Sequence, residues 1–282
     1  MGPQRLTIKA ISIAAFFGMT LGSVEEPPAN AAGNAGPTPQ PQQPVTPAVI
    51  GTSTTPANAP SPANACGAGM ILIDGDYCPE VEQVCTKWVG DPPPYEKIRC
   101  AEWAKPSKCK VAKVHKRFCI DREEYTDGKT KNDAGDDLPV VRKSWLDAKA
   151  ICESRGARLC KEPEWELACE GPDMSPYPYG WKRDSTVCNF DRTDLGGAEE
   201  KLTDHRAPLN AFPQCMSPYG VHDMVGNVDE WTEREGMAAP NRSSLRGGWW
   251  LPGRNRCRAA TTHHDENYGG KQVGFRCCKE AP

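Results

Sequence analysis

The chain has no Cys-x-x-Cys knuckle, no long run of like charge, no internal repeat and no comfortably membrane-length apolar run. Each absence removes a class of function. Without paired knuckles the usual zinc modules are excluded. A formal net charge of −3 with dispersed Lys and Arg excludes the clustered basic surface of a nucleic-acid binder. No serine nucleophile elbow, phosphate-binding glycine loop or zinc-protease helix is present. The first 65 residues also contain no cysteine, yet fourteen follow in the rest of the 282-residue chain.

The cysteine-free part divides in two. Arg5 and Lys9 precede an apolar run over 10–21 and then small residues. This is the layout of a secretory signal peptide, ending at Ser23 or as late as Ala31. The run is short of the ~20 residues of a membrane span, so no span is expected in the mature chain. An uncleaved anchor is the alternative. Residues 24–65 are rich in Pro, Ala, Thr, Asn and Gln and nearly free of large apolar side chains. Such a segment buries too little to offset its chain entropy and reads as a disordered linker, or an extended tether. An exported chain with this many cysteines points to disulfides, in a secreted or periplasmic setting or tethered at the cell surface.

Residues 66–282 are the expected domain. Residues 70–73 and 116–122 read as strands. Between them, about 78–110 with Cys78, Cys85, Cys100 and Cys109 reads as a disulfide-stapled insertion rather than regular structure. Ser144 caps a helix to about residue 155, with Trp145, Ala148, Ile151 and Cys152 on one face. A second helix starts near Glu162, tolerates Pro163 in its first turn and stops at Gly171-Pro172. Gly, Pro and Asp clusters with brief apolar strings follow. The class is α+β, irregular, low in regular secondary structure and disulfide-rich.

Ordered strings along this domain carry a resemblance. GMILI at 69–73, FCIDREEYT at 118–126, LPV at 138–140 with Ser144-Trp145 and Asp147-Ala148, and ARLCKEPEWE at 157–166 come first. DMVGNVDEW at 223–231, LRGGWW at 245–250 and VGFRC at 273–277 follow. Together they resemble the formylglycine-generating enzyme, or sulfatase-modifying factor, family. The resemblance implies that family's fold, related to C-type lectins. It also implies two disulfides, Cys152–Cys277 and Cys169–Cys257. Trial pairings of Cys188 with Cys215 and Cys160 with Cys278 are guesses, because sequence does not fix connectivity.

The string at 223–230 has chemistry of its own. Calcium takes six to eight oxygens, carboxylate and carbonyl alike, and a turn with Asp and Glu at its ends and Gly226 within can supply them. Carried over from the family, the ligands are the side chains of Asp223 and Glu230 and the carbonyls of Gly226 and Val228. Asp229 stands where the family commonly has Trp. Asn189 and the carbonyl of Phe190 match part of a second family calcium site. The bland alternative is that Asp223 and Glu230 only cap the turn.

The family's enzymes oxidise a substrate cysteine to formylglycine, using two thiols that bind copper. Counted from LRGG, the first thiol position is Pro252. The second falls on Cys257 without a gap. Arg258-Ala259 also matches an Arg-x-Ala strand in members lacking the cysteine loop, which makes Cys257 a strand residue. One thiolate does not replace two at a Cu(I) site. His263-His264-Asp265-Glu266 reads as a polar surface loop, since adjacent histidines on an extended chain point apart. Trp249 and Trp250 line a groove, or one of them is core. The reading is a non-catalytic, calcium-stabilised module that binds a protein or peptide ligand near Trp249. Two alternatives remain open: a formylglycine-generating or other metal-dependent oxidoreductase, with copper as cofactor, and a structural component of a cell-surface assembly.

Overall fold

A computed structural model describes residues 65–197 and 201–282. The signal-peptide and linker readings therefore lie outside the described residues, save for Ala65. Twelve strands and two helices follow one another: β1 (Met70–Tyr77), β2 (Val81–Glu82), β3 (Cys85–Trp88), β4 (Cys100–Trp103), β5 (Lys108–Cys109) and β6 (Val114–Asp121), then α1 (Trp145–Ser154), β7 (Arg158–Leu159) and α2 (Glu162–Glu170), then β8 (Asp229–Glu233), β9 (Ser243–Arg246), β10 (Ala260–Thr261), β11 (Val273–Phe275) and β12 (Cys277–Glu280). The architecture is α+β, with short strands and long loops, as the sequence leads one to expect.

The first sheet has the order β1-β6-β12-β7. Ile73 and Tyr77 turn into the core while Asp74 and Asp76 face outward, the two-residue period of a half-buried strand. The second sheet, β10-β9-β8-β11, pairs β11 parallel to β8. Ser144 caps α1 through a capping box with Asp147, and Trp145, Ala148 and Cys152 are its buried face. In α2 every residue from Glu164 to Glu170 is buried. Its glutamates survive burial because arginines meet them; Arg158 pairs with Glu164. Arg246 reaches Glu162 and Glu166, and Arg258 reaches Glu166 and Glu170.

All fourteen cysteines are paired. Cys152–Cys277 and Cys169–Cys257 are the pairings the resemblance implies, and the two trial pairings are also present. Cys277 and Cys278 are adjacent on β12, so their side chains leave opposite faces. One staples α1 and the other Cys160, just ahead of α2, tying both flanks to one strand. Cys66–Cys119 holds the chain ahead of β1 against β6.

Two expectations need correction. The insertion is more regular than its prolines indicated: β2 pairs with β5, and β3 with β4. Nested disulfides Cys78–Cys109 and Cys85–Cys100 bring these short strands together, so pairing needs no long apolar alternation. Cys257 is not a strand residue. It lies in a turn closed by the Ala259 N–H donating to the Arg256 carbonyl, and β10 starts only at Ala260.

Candidate functional site

The segment 223–230 folds as a tight turn because three of its residues hold left-handed backbone: Asp223 (φ 54°), Gly226 (φ 87°) and Asn227 (φ 53°). At Gly226 a side chain is excluded as well, since a Cβ would sit 2.4 Å from the Asn189 carbonyl oxygen. The turn delivers Glu230 into the interior on β8. Its carboxylate accepts from Arg276 Nη2 at 2.6 Å, Arg276 Nε at 2.7 Å and Trp165 Nε1 at 2.7 Å. Both sites of Oε2 are thus used, while Oε1 keeps one.

Glu124, which the sequence did not single out, completes the surroundings. It accepts from the Asn227 side chain and from the Val228 N–H at 3.2 Å. Burial, then the fields of Asp223 and Glu230, hold its carboxyl well above the usual range. Burial also pushes Asp223 up to about 7, with Glu123 and Glu230 adding to it and Arg276 pulling the other way. Glu124, Asp223 and Glu230 are 3%, 4% and 1% exposed, and they share the fully buried Arg276. Ionised together, they leave an excess of buried negative charge that a cation would neutralise.

Among the described residues, no three His, Cys, Asp or Glu side chains converge as a metal cluster by themselves. The expected set has only two such side chains, Asp223 and Glu230, with the carbonyls of Gly226 and Val228. The surplus buried charge and the open site on Glu230 fit a hard cation such as calcium. In the second expected set, Asn189 Oδ1 accepts from Arg192 Nε at 2.9 Å, and the Asn189 carbonyl accepts from the Asn227 N–H at 2.8 Å. By the count applied to Glu230, Oδ1 likewise keeps one acceptor site. The Phe190 side chain is fully buried in the core.

The LRGGWW string ends β9 in two left-handed glycines. At Gly247 a Cβ would lie 2.7 Å from the Met224 carbonyl, so this turn packs directly on the 223–230 segment. Trp250 is core and Trp249 is half-buried, the two rings meeting edge to face at 5.0 Å. Pro252 follows on the surface side. Cys257 is fully buried and bonded to Cys169. Trp249 lines a cavity of about 100 Å³ together with Asp229, Gly248, Arg254 and Ala260. Of the 263–266 loop, Glu266 is buried and paired with Arg242, and His264 stacks on Tyr268 at 3.7 Å. The Ser243 hydroxyl, donating to the His264 carbonyl at 3.1 Å, ties the loop to β9.

The family profile described as Sulfatase-modifying factor enzyme 1-like domain matches residues 86–281. The chain belongs to this family. Among curated relatives, "Inactive C-alpha-formylglycine-generating enzyme 2" of Bos taurus is 36% identical over 155 residues, 51% of this chain and 51% of that protein. "Formylglycine-generating enzyme" of Bos taurus is 27% identical over 176 residues, 51% of this chain and 44% of that one. The chain thus aligns with only about half the length of these relatives. Among solved structures, CarF superposes with a TM-score of 0.49 at 16% identity, covering 76% of this chain and 98% of that one. In this chain the arrangement around Glu230 is a buried charge centre, and the segment after LRGG is a disulfide-anchored loop over a small cavity.

Proposed function

We propose that this chain is a non-catalytic member of the family, an exported and calcium-stabilised domain that binds a protein or peptide ligand in the groove beside Trp249. The observation that carries the reading is the fate of the thiol pair. Pro252 stands at the first position and cannot supply sulfur. Cys257, at the second, is spent in a buried bridge to Cys169. A Cu(I) site wants thiolates, and a disulfide offers none. Seven disulfides and the N-terminal layout of Arg5, Lys9 and residues 10–21 support export. Among the described residues, no helix is long and apolar enough to cross a membrane. The buried carboxylates around Asp223 and Glu230 support calcium, which would neutralise them and tie the turn when bound.

The test is direct. The purified, calcium-loaded chain is incubated with copper, oxygen and a Cys-x-Pro-x-Arg peptide, and peptide mass is followed. An unchanged mass is expected. Formylglycine formation overturns the reading in favour of the oxidoreductase. Thiol counting under denaturing conditions is the companion measurement, with no free thiol expected.

A further inference from the structure

The first sheet ends on a strand whose outer edge is unpaired. β1 pairs with β6 on one side only. The Arg122 N–H donates to the Gly69 carbonyl, which sets the phase of the ladder: Ile71, Ile73 and Gly75 exchange hydrogen bonds with β6. Leu72, Asp74 and Asp76 therefore turn their N–H and carbonyl groups away from it. Among the described residues, none of these edge groups has a protein partner.

A groove of about 580 Å³ lies beside that edge. Met70, Ile71, Leu72 and Asp74 of β1 form one wall, and the loop carrying Met216, Tyr219 and Gly220 forms the other. Met216 is 45% exposed, a flexible apolar side chain that can repack on an incoming one. Arg122 lies opposite Gly69, so it and His222 close the groove at the start of β1. The Arg122 side chain is exposed with no carboxylate on it among the described residues, and His222 Nδ1 is buried without a partner.

Each feature selects something in an occupant. The open ladder selects an extended main chain, since only that conformation pairs with it. The apolar walls select apolar side chains at alternate positions, and the cationic end selects an acid. Met70 to Asp74 spans roughly 13 Å at ~3.3 Å per residue, room for about four extended residues. A second copy of β1 is a poor occupant. The strand carries Asp74 and Asp76 and no basic residue, so two such edges would set like charges against each other. His115 and Arg117 on β6 meet these aspartates but leave both more than half exposed.

We propose that the free edge of β1 is a strand-addition site for an extended, apolar peptide segment of a partner protein, with an acidic residue beside Arg122 and His222. The segment's main chain pairs with Leu72 and Asp74. Antiparallel pairing is the stronger arrangement and places the acid at the segment's C-terminal end. The site shares no residue with the cavity beside Trp249 and does not depend on it.

Calorimetry of the full chain with acetyl-Thr-Val-Thr-Val-Glu-amide tests it, and saturable binding is expected. Methylating one peptide nitrogen at a time gives a reading that side-chain contact alone would not produce. The loss should alternate along the peptide, because every second N–H faces β1. Equal effects at successive residues, or none, overturn the inference, as does no binding. Leu72→Pro removes an edge donor without touching the β6 ladder and should weaken binding about tenfold. Arg122→Glu should weaken binding severalfold and strengthen binding of the counterpart peptide with Lys in place of Glu. Undiminished binding of the Glu peptide by either folded variant overturns the site. Thermal melts report folding; should Leu72→Pro not fold, Arg122→Glu and the methylation series decide. Sedimentation of the free chain covers the other occupant: a dimer dispersed by Leu72→Pro gives the edge to a second copy and overturns the peptide site.

Discussion

Replacing Arg276 with Met puts the buried charge centre to the test. All five N–H donors of the guanidinium are used: Nε and one Nη2 hydrogen on Glu230, the other Nη2 hydrogen on the His222 carbonyl at 2.9 Å, and Nη1 on the carbonyls of Asp121 and Arg122 at 3.2 and 3.1 Å. Methionine fills much of the volume and keeps none of these bonds. Glu230, 1% exposed, then lacks its cation in a site already crowded by Asp223 and Glu124. Breaking a buried pair from one side costs about 3–5 kcal/mol. For a domain of this size Tm falls roughly 2–4 °C per kcal/mol, so a drop of about 6–20 °C is expected. Arg276→Lys keeps the charge but not the fork and should fall between wild type and Met. Urea unfolding with the disulfides intact, followed by circular dichroism, measures the difference. A loss of less than about 1 kcal/mol for Arg276→Met would refute the view that the buried Arg276–Glu230 pair supports the fold.

Two further outcomes follow from the same interior. Calcium at a hundredfold over its Kd should stabilise the chain by about 2.7 kcal/mol, read as a rise in Tm that a chelator reverses. Asp223→Asn should shrink that rise, and no shift at millimolar calcium would sink the calcium reading. Glu170 supplies a pH dependence: burial, only partly offset by Arg258, pushes its carboxyl up to about 7. Its folded value lies above the unfolded value near ~4.3, so its contribution is most favourable below that pH and is lost as pH rises toward 7. Glu170→Gln should flatten this part of the stability–pH curve between about pH 5 and 8, and an unchanged slope would refute the assignment.

Local structure was readable where its cause is local. Ser144 and Asp147 announce α1 by a capping box, and Gly171 ends α2 at the place its sequence position indicates. β1 was read only over its apolar first half, 70–73, because Asp74, Gly75 and Asp76 interrupt the pattern before Tyr77. β2 to β5 were missed because strands of two to four residues carry no periodic signal; nested disulfides hold them instead. The turn at Cys257 was missed because its reason is a contact with Pro176, 81 positions away in the chain, whose carbonyl accepts from the Cys257 N–H. A signal for the buried charges did exist: Glu162, Glu166 and Glu170 stand on one face of a helix otherwise rich in core residues.

The ordered strings by themselves determined the family, the two helices and the replacement of the first thiol by Pro252. These rest on residue identity and short spacing, which the linear chain records in full. Only the tertiary structure decided what the acidic residues face. Glu230 and Asp229 are neighbours in sequence, yet one is neutralised by Arg276, 46 positions on, and the other opens into a cavity walled by residues from 245 to 261. That Asn189 Oδ1 accepts from Arg192 Nε is likewise decided by the fold and not by the string around it. A side chain's charge state and partner depend on which distant groups share its burial, and strand alternation sets a direction without naming what lies there.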